Sequence, residues 1–262
     1  MDAAVDFFWR NVEVIALLAP NVTYWLVSFM FQCVEWAQVP WLERYRVQST
    51  RTLAKNTVTK TRVVLQVLVT QVLQTSVVLV GLYCLGHFDP SFTAEYTWHT
   101  STWLSIALQF CAALLVMDTY QYWLHRYMHE NKFLYRHFHS VHHRLYNPYS
   151  FGALYNHPVE SLLLDALSGV LSTFITGMES NPPVAIFFLC FATAKTVDDH
   201  CGYRLPFDPL QVFFPNNAYY HDVHHQTRGI KHNFSQPFFT FWDGLCGTQW
   251  DPAEFHSKAA AA

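Results

Sequence analysis

The chain has 262 residues, 52% of them hydrophobic and 17% aromatic, with only 13% charged and a net charge of −3. That length suits one or two domains, and the mild acidity with no long basic run leaves no electrostatic case for nucleic acid. The cysteines Cys33, Cys84, Cys111, Cys190, Cys201 and Cys246 are scattered without any CxxC, which excludes a thiolate zinc site and a disulfide framework.

Residues 1–11 form a mixed leader with neither the basic start nor the small-residue cleavage site of a secretory signal. From Val12 to Trp36 the chain is apolar apart from Glu13, Pro20, Asn21 and Glu35. As a helix it crosses roughly 30 Å of hydrocarbon, a buried core helix being the alternative. Pro20 predicts a kink, and Trp25, Trp36 and Trp41 read as interface anchors. The stretch Glu43 to Arg62 sets six cations (Arg44, Arg46, Arg51, Lys55, Lys60, Arg62) against the one acid Glu43, the mark of a cytosolic loop.

Val63 to Leu85 predicts a second span whose Gln66, Gln71 and Gln74 face other helices. The loop Gly86 to Thr100 holds Asp89 and Glu95 but no Lys or Arg. Trp103 to Trp123 predicts a third span, with Asp118 near its far end. Val159 to Thr176 and Val184 to Val197 flank the turn Asn181-Pro182-Pro183 and predict a hairpin whose second arm is short for a full crossing. Beyond Asp198 the chain is polar and turn-rich. Asn233-Phe234-Ser235 matches a glycosylation acceptor, which a cytosolic location leaves unmodified. Ala259–Ala262 reads as a scar or truncated tail. The expected architecture is all-α: one domain over 1–262, a bundle of four to five membrane helices within 12–124 and the hairpin 159–197. Residues 125–158 and 198–250 form the cytosolic cap.

That cap holds the chemistry. Six of the fifteen histidines lie between His125 and His143. His125 and His129 are four residues apart, so a helix projects both from one face. His139, His142 and His143 form an HxxHH group, and His221, His224 and His225 repeat it. With all three groups on one side of the membrane, a metal centre is the leading reading, since imidazole is a common ligand for zinc, copper, iron and nickel. Eight nitrogens exceed one first-row ion, so two metals are expected. His200, flanked by Asp198 and Asp199 as candidate acceptors for imidazole N–H groups, is the ninth ligand. His157 reads as a pocket residue with a ligand role as the alternative. His87, His99, His232 and His256 read as ordinary surface or core residues.

An all-nitrogen site disfavours magnesium and calcium, and nine histidines exceed a structural zinc site. Histidines without carboxylates suggest iron with positions open to dioxygen, zinc being the substitute in overproduced protein. The membrane setting suggests a lipid substrate. The chain has no GxGxxG dinucleotide fingerprint and no HPGG stretch of a fused cytochrome b5 domain, so the electrons come from a partner haem protein.

The order HxxxH, HxxHH, HxxHH resembles the fatty acid hydroxylase superfamily of integral membrane di-iron enzymes. Val116–His125, Pro148–His157, Lys195–Tyr203, Phe214–His225 and Asn233–Phe239 are similar to the sphinganine 4-hydroxylases of fungi and plants, and the likeness runs from about Pro20 to Thr248. The resemblance implies hydroxylation at carbon 4 of sphinganine or dihydroceramide, residence in the endoplasmic reticulum and a cytochrome b5 donor. It implies His125, His129, His139, His142, His143, His200, His221, His224 and His225 as metal ligands. Asn156, Tyr149 and Tyr155 are expected beside the site, the aromatic residues between Tyr146 and Tyr155 lining an acyl channel or simply packing. Some superfamily members carry a further histidine just upstream of the position of His200; here Thr196 stands in that region. Rival readings are a sterol methyl oxidase, a desaturase, a hydroxylase of a specialised pathway, or a non-catalytic metal- or haem-binding membrane protein.

Overall fold

The computed structural model describes residues 11–48, 55–89 and 102–260, so residues 1–10 of the leader, Arg51, Glu95, His99, Ala261 and Ala262 lie outside the described residues. Helix α1 spans Val12–Ala37, α2 Lys60–Cys84, α3 Trp103–Glu130 and α4 Pro158–Ile175. All four are long and apolar enough to cross a membrane. The hairpin closes with α5, Pro182–Asp199.

Local chemistry sets the starts and stops. The side chains of Thr59 and Thr102 accept the Arg62 and Ser105 N–H groups at the first turns of α2 and α3. Pro182 opens α5, where its missing N–H costs nothing. α1 runs through Pro20 and stops at Gln38, which takes a left-handed conformation (φ 47°) just before Pro40. Every regular element among the described residues is helical, apart from an isolated bridge between Arg46 and Tyr203.

α1 lies along α5, and α3 along the Leu167–Ile175 half of α4. Tyr24, Phe31, Val63, Val67, Tyr155 and Val197 form one buried cluster, and Ala113, Met117, Phe188 and Phe238 a second. Outward, Leu18, Val22, Leu26 and Phe29 on α1, and Leu65, Leu68, Val69 and Val72 on α2, recur at helical spacing and are exposed. A stripe of that kind suits hydrocarbon rather than water.

Polar side chains hold the helices together. Trp25 Nε1 donates to Gln71 Oε1 at 2.8 Å. Trp25 is therefore a tie between α1 and α2 and not an interface anchor, whereas Trp36 and Trp41 remain exposed. Gln66 Nε2 donates to the Asn156 carbonyl, so Gln66 and Gln71 both face protein as their positions predict. Ser28 and Ser150 each donate to the other's carbonyl oxygen. Ala259 and Ala260, expected in a loose tail, belong to the helix Pro252–Ala260.

Candidate metal centre

Three kinds of backbone deliver the nine histidines. His125 and His129 sit in the last two turns of α3, which continues past Trp123 to Glu130. His139, His142 and His143 lie on the 3₁₀ turn His139–Arg144. His221, His224 and His225 lie on α6, Ala218–His225, whose first N–H groups are capped by Asn217 Oδ1. His200 follows α5 directly.

Together they make two buried groups. His125, His129, His139, His143 and His224 form the first; His142, His200, His221 and His225 form the second. Within each group the ligand atoms lie within 4.8 Å of one another. Both HxxHH boxes are split between the groups, and helical spacing explains how. His139 and His143, like His221 and His225, are four residues apart and join the same group. His139 and His142 stack with ring centroids 5.7 Å apart, as do His221 and His224, and each pair reaches into both groups.

The hydrogen bonds then fix which nitrogen faces inward. The Nδ1–H groups of His125, His142, His200, His224 and His225 are placed to donate to the carbonyls of Phe234, Tyr155, Thr196, His232 and Leu145, at 2.7–3.4 Å. His139 Nδ1 meets Glu160 Oε1 at 2.5 Å. A neutral ring that donates through Nδ1 carries a bare lone pair on Nε2. Yet His125 and His139 bring Nε2 to Nε2 at 3.1 Å, and His142 and His200 at 3.3 Å. Two lone pairs at that distance repel and make no hydrogen bond. His224 Nε2 is buried with no partner at all.

Protonation does not resolve the conflict. Burial pushes His139, His142 and His200 down to about 3. Burial and neighbouring imidazoles hold His143, His221, His224 and His225 well below the usual histidine range. A cation at the centre of each group resolves it. The close approach of these Nε2 lone pairs is what a shared cation would relieve. The donor set therefore fits a metal site, and an all-imidazole set suits a borderline transition metal.

Several residues that the sequence pattern had not marked support the site. Glu160 on α4 is fully buried and orients His139. Asp118, buried in α3, accepts the N–H groups of Phe238 and Phe239. Asp243 accepts those of Phe234 and Ser235. These two carboxylates strap the segment 233–239 over the histidines. The available signal was an acid inside an apolar run, which is rare without a purpose.

Other expectations are corrected. Asp198 accepts from Gln211 Nε2, and Asp199 pairs with Lys195 and Asn216, so neither accepts from an imidazole, although Asp199 lines the cavity beside them; His200 Nδ1 uses the Thr196 carbonyl. His157 stands outside both groups. Its Nδ1 accepts the Val159 N–H and its ring packs edge-on against Phe138. Tyr149 and Tyr155 are buried in the hydrophobic core, and the Tyr155 carbonyl faces His142 Nδ1. His87, His232 and His256 lie outside both groups, as does the exposed His137. Asn233 is completely buried, with its amide bonded to the Tyr220 and Trp250 carbonyls, so burial alone blocks glycosylation there.

Beside the histidines is a cavity of about 20 Å³, lined by His139, His142, His200 and His221. Its wall also includes the polar side chains of Asn156, Glu160, Asp165, Asp199, Gln121, Thr196 and Gln236, and the apolar Ala153, Leu164 and Pro237.

Residues 110–248, which contain all nine histidines, match the profile of the family described as Fatty acid hydroxylase. The chain belongs to the fatty acid hydroxylase family. Sphinganine C4-monooxygenase 2 of Arabidopsis thaliana is 49% identical over 90% of this chain and 87% of its own length. Sphingolipid C4-hydroxylase SUR2 of Saccharomyces cerevisiae is 43% identical over 94% of this chain and 74% of its own. Very-long-chain aldehyde decarbonylase GL1-9 of Oryza sativa subsp. indica is 60% identical, over 54% of each chain. No solved structure matches. This fatty acid hydroxylase thus combines two groups of histidines with four helices long and apolar enough to cross a membrane.

Proposed function

We propose that this fatty acid hydroxylase is a di-iron monooxygenase of the endoplasmic reticulum membrane. It hydroxylates carbon 4 of sphinganine or dihydroceramide, with its metal centre on the cytosolic side and electrons from a cytochrome b5-type donor. The observation that carries the substrate is the extent of likeness: the sphingolipid hydroxylases align over 90% and more of the chain, membrane helices included. The basic residues between Glu43 and Arg62 support the orientation, because in sequence they lie between α1 and the first turn of α2, the side on which α3 ends with His125 and His129.

In this reading the nine imidazoles are the ligands, five for one ion and four for the other. Bound iron supplies the chemistry that divides dioxygen, one atom entering a C–H bond as hydroxyl and the other leaving as water with two electrons and two protons from outside. The protein's residues do the rest. Backbone carbonyls and Glu160 hold six of the nine rings in their Nδ1–H form, keeping the Nε2 of each available. The strap 233–239 buries the centre and excludes water. The cavity beside the histidines, with polar and apolar walls, positions one carbon of the lipid before the metals.

The test is reconstitution of metal-loaded protein with a cytochrome b5-type donor and sphinganine, with products identified by mass spectrometry. The expected product is the 4-hydroxy base, from protein that holds about two irons per chain and shows no Soret band. The rice relative supports a second reading, removal of the carbonyl carbon from a very-long-chain aldehyde. Hydrocarbon, sterol or alkene as the sole product overturns the first reading.

A further inference from the structure

The carboxylate of Asp243, on the short helix Phe241–Cys246, is met by donors on both oxygens. Oδ1 accepts the Phe234 N–H at 3.0 Å and the Thr248 hydroxyl at 2.6 Å. Oδ2 accepts the Ser235 N–H at 2.8 Å and the Tyr220 hydroxyl at 2.9 Å. The residue is 0% exposed. Thr248 gives its one proton to Asp243, so it accepts in turn from the Tyr122 hydroxyl at 3.0 Å. Donors converging on two oxygens require a side chain that only accepts, and a carboxylate is that side chain.

The two backbone bonds matter most because of what they hold. Asn233, just before Phe234, takes a left-handed conformation (φ 53°) that the surrounding contacts must maintain. Its amide donates to the Tyr220 and Trp250 carbonyls and its oxygen accepts the Trp250 N–H. The carbonyls on either side of it both face histidine rings. His232 O lies 2.7 Å from His224 Nδ1, and Phe234 O lies 2.8 Å from His125 Nδ1. Both rings belong to the group of five. In the group of four, His142, His200 and His225 meet the carbonyls of Tyr155, Thr196 and Leu145, which come from other segments. The two groups are therefore braced differently, although α6 contributes to both.

We propose that Asp243 is a positioning residue for one metal position and not the other: by pinning Phe234 and Ser235 it aims His125 and His224, so the five-histidine position depends on it and the four-histidine position does not. This rests on the reading of both groups as metal sites. Asp243→Asn is the near-isosteric test. Each carboxylate oxygen holds one of the two backbone N–H groups, so whichever way the new amide lies, its NH₂ faces one of them.

The experiment is titration of chelator-stripped protein in detergent micelles with zinc, the affinity of each step being read by competition with a chelating dye. Wild type is expected to take up two ions per chain, one for each group. Asp243→Asn is expected to weaken one of the two steps by about 10- to 100-fold and to leave the other unchanged. Thr248→Val, which removes one donor but keeps both backbone bonds, is expected to keep both affinities. Equal weakening of both steps in Asp243→Asn overturns the inference, as does no weakening, or a Thr248→Val variant that reproduces the loss. A second measurement uses wild type alone and decides the matter if Asp243→Asn does not fold: hydrogen exchange at the Phe234 and Ser235 N–H groups along the same titration. Coupling between sites is reciprocal, so one binding step is expected to slow exchange there and the other to leave it unchanged. Slowing on both steps, or on neither, overturns the inference. Wild type that binds no zinc defeats the metal reading and the inference with it, whereas two ions bound without selectivity in the variant defeats the inference alone.

Discussion

His139 shows what each buried ring requires. Its Nε2 points at four other rings, and that direction is held by one bond, from Nδ1–H to Glu160 Oε1 at 2.5 Å. Partners of that kind are worth about 10- to 100-fold in metal affinity. Glu160→Ala is expected to lose metal by that factor when dialysed against graded chelator, and Glu160→Gln, which keeps an acceptor, is expected to lose less. Wild-type retention in the alanine variant means that His139 is held by something else. At this scale the sequence was readable for the histidines that converge and misleading for the residues that support them. Asp198 and Asp199 adjoin His200 in sequence, yet helix geometry turns them to Gln211 and to Lys195 and Asn216. The carboxylate that does hold a ligand, Glu160, lies 21 residues from it in the chain. Adjacency in sequence says little about a side chain's direction; spacing on a known helix says much more.

Spacing is a property of elements, and α6 depends on it most. It sends His221 and His225 to one group and His224 to the other, so a small rotation of the helix withdraws all three. The following loop comes very close. A Cβ on Gly229 would stand 1.9 Å from the Val223 carbonyl oxygen, which is backbone and cannot swing aside. Gly229→Ala is therefore expected to displace α6, at a cost of about 1–3 kcal/mol, and to reduce metal content along with melting temperature. Full metal content in that variant shows that the loop yields instead. The α-helical boxes were legible because the period of 3.6 fixes which residues share a face. The 3₁₀ form of His139–Arg144 was not, because a short polar run carries no apolar rhythm to reveal its winding. Tyr149 and Tyr155 illustrate the same gap: an aromatic run suits a channel or a core, and only the fold shows them buried in one cluster with Tyr24, Phe31 and Val67.

Across the whole molecule, the nine rings are a liability until a cation joins them. Neutral buried histidines with pKa values near 3 bind no proton in the folded chain at pH 5, while the same rings in the unfolded chain, near 6.5, are protonated. The unfolded state then holds more protons, so stability falls as pH falls below about 6.5 and keeps falling towards pH 3. For His139, His142 and His200 the loss at pH 5 is about 2 kcal/mol each, and about 6 kcal/mol together is comparable with the whole stability of many domains. Metal reverses the balance, since an ion bound only by the folded chain adds stability that grows with its concentration. Detergent-solubilised protein stripped by chelator is thus expected to unfold at progressively lower temperature from pH 7 to pH 5, and reloading with iron or zinc is expected to restore much of the loss. Equal melting temperatures for stripped protein at the two pH values would mean that the rings relax apart without metal. The convergence drawn from the three boxes would then be a property of the loaded site and not of the fold alone.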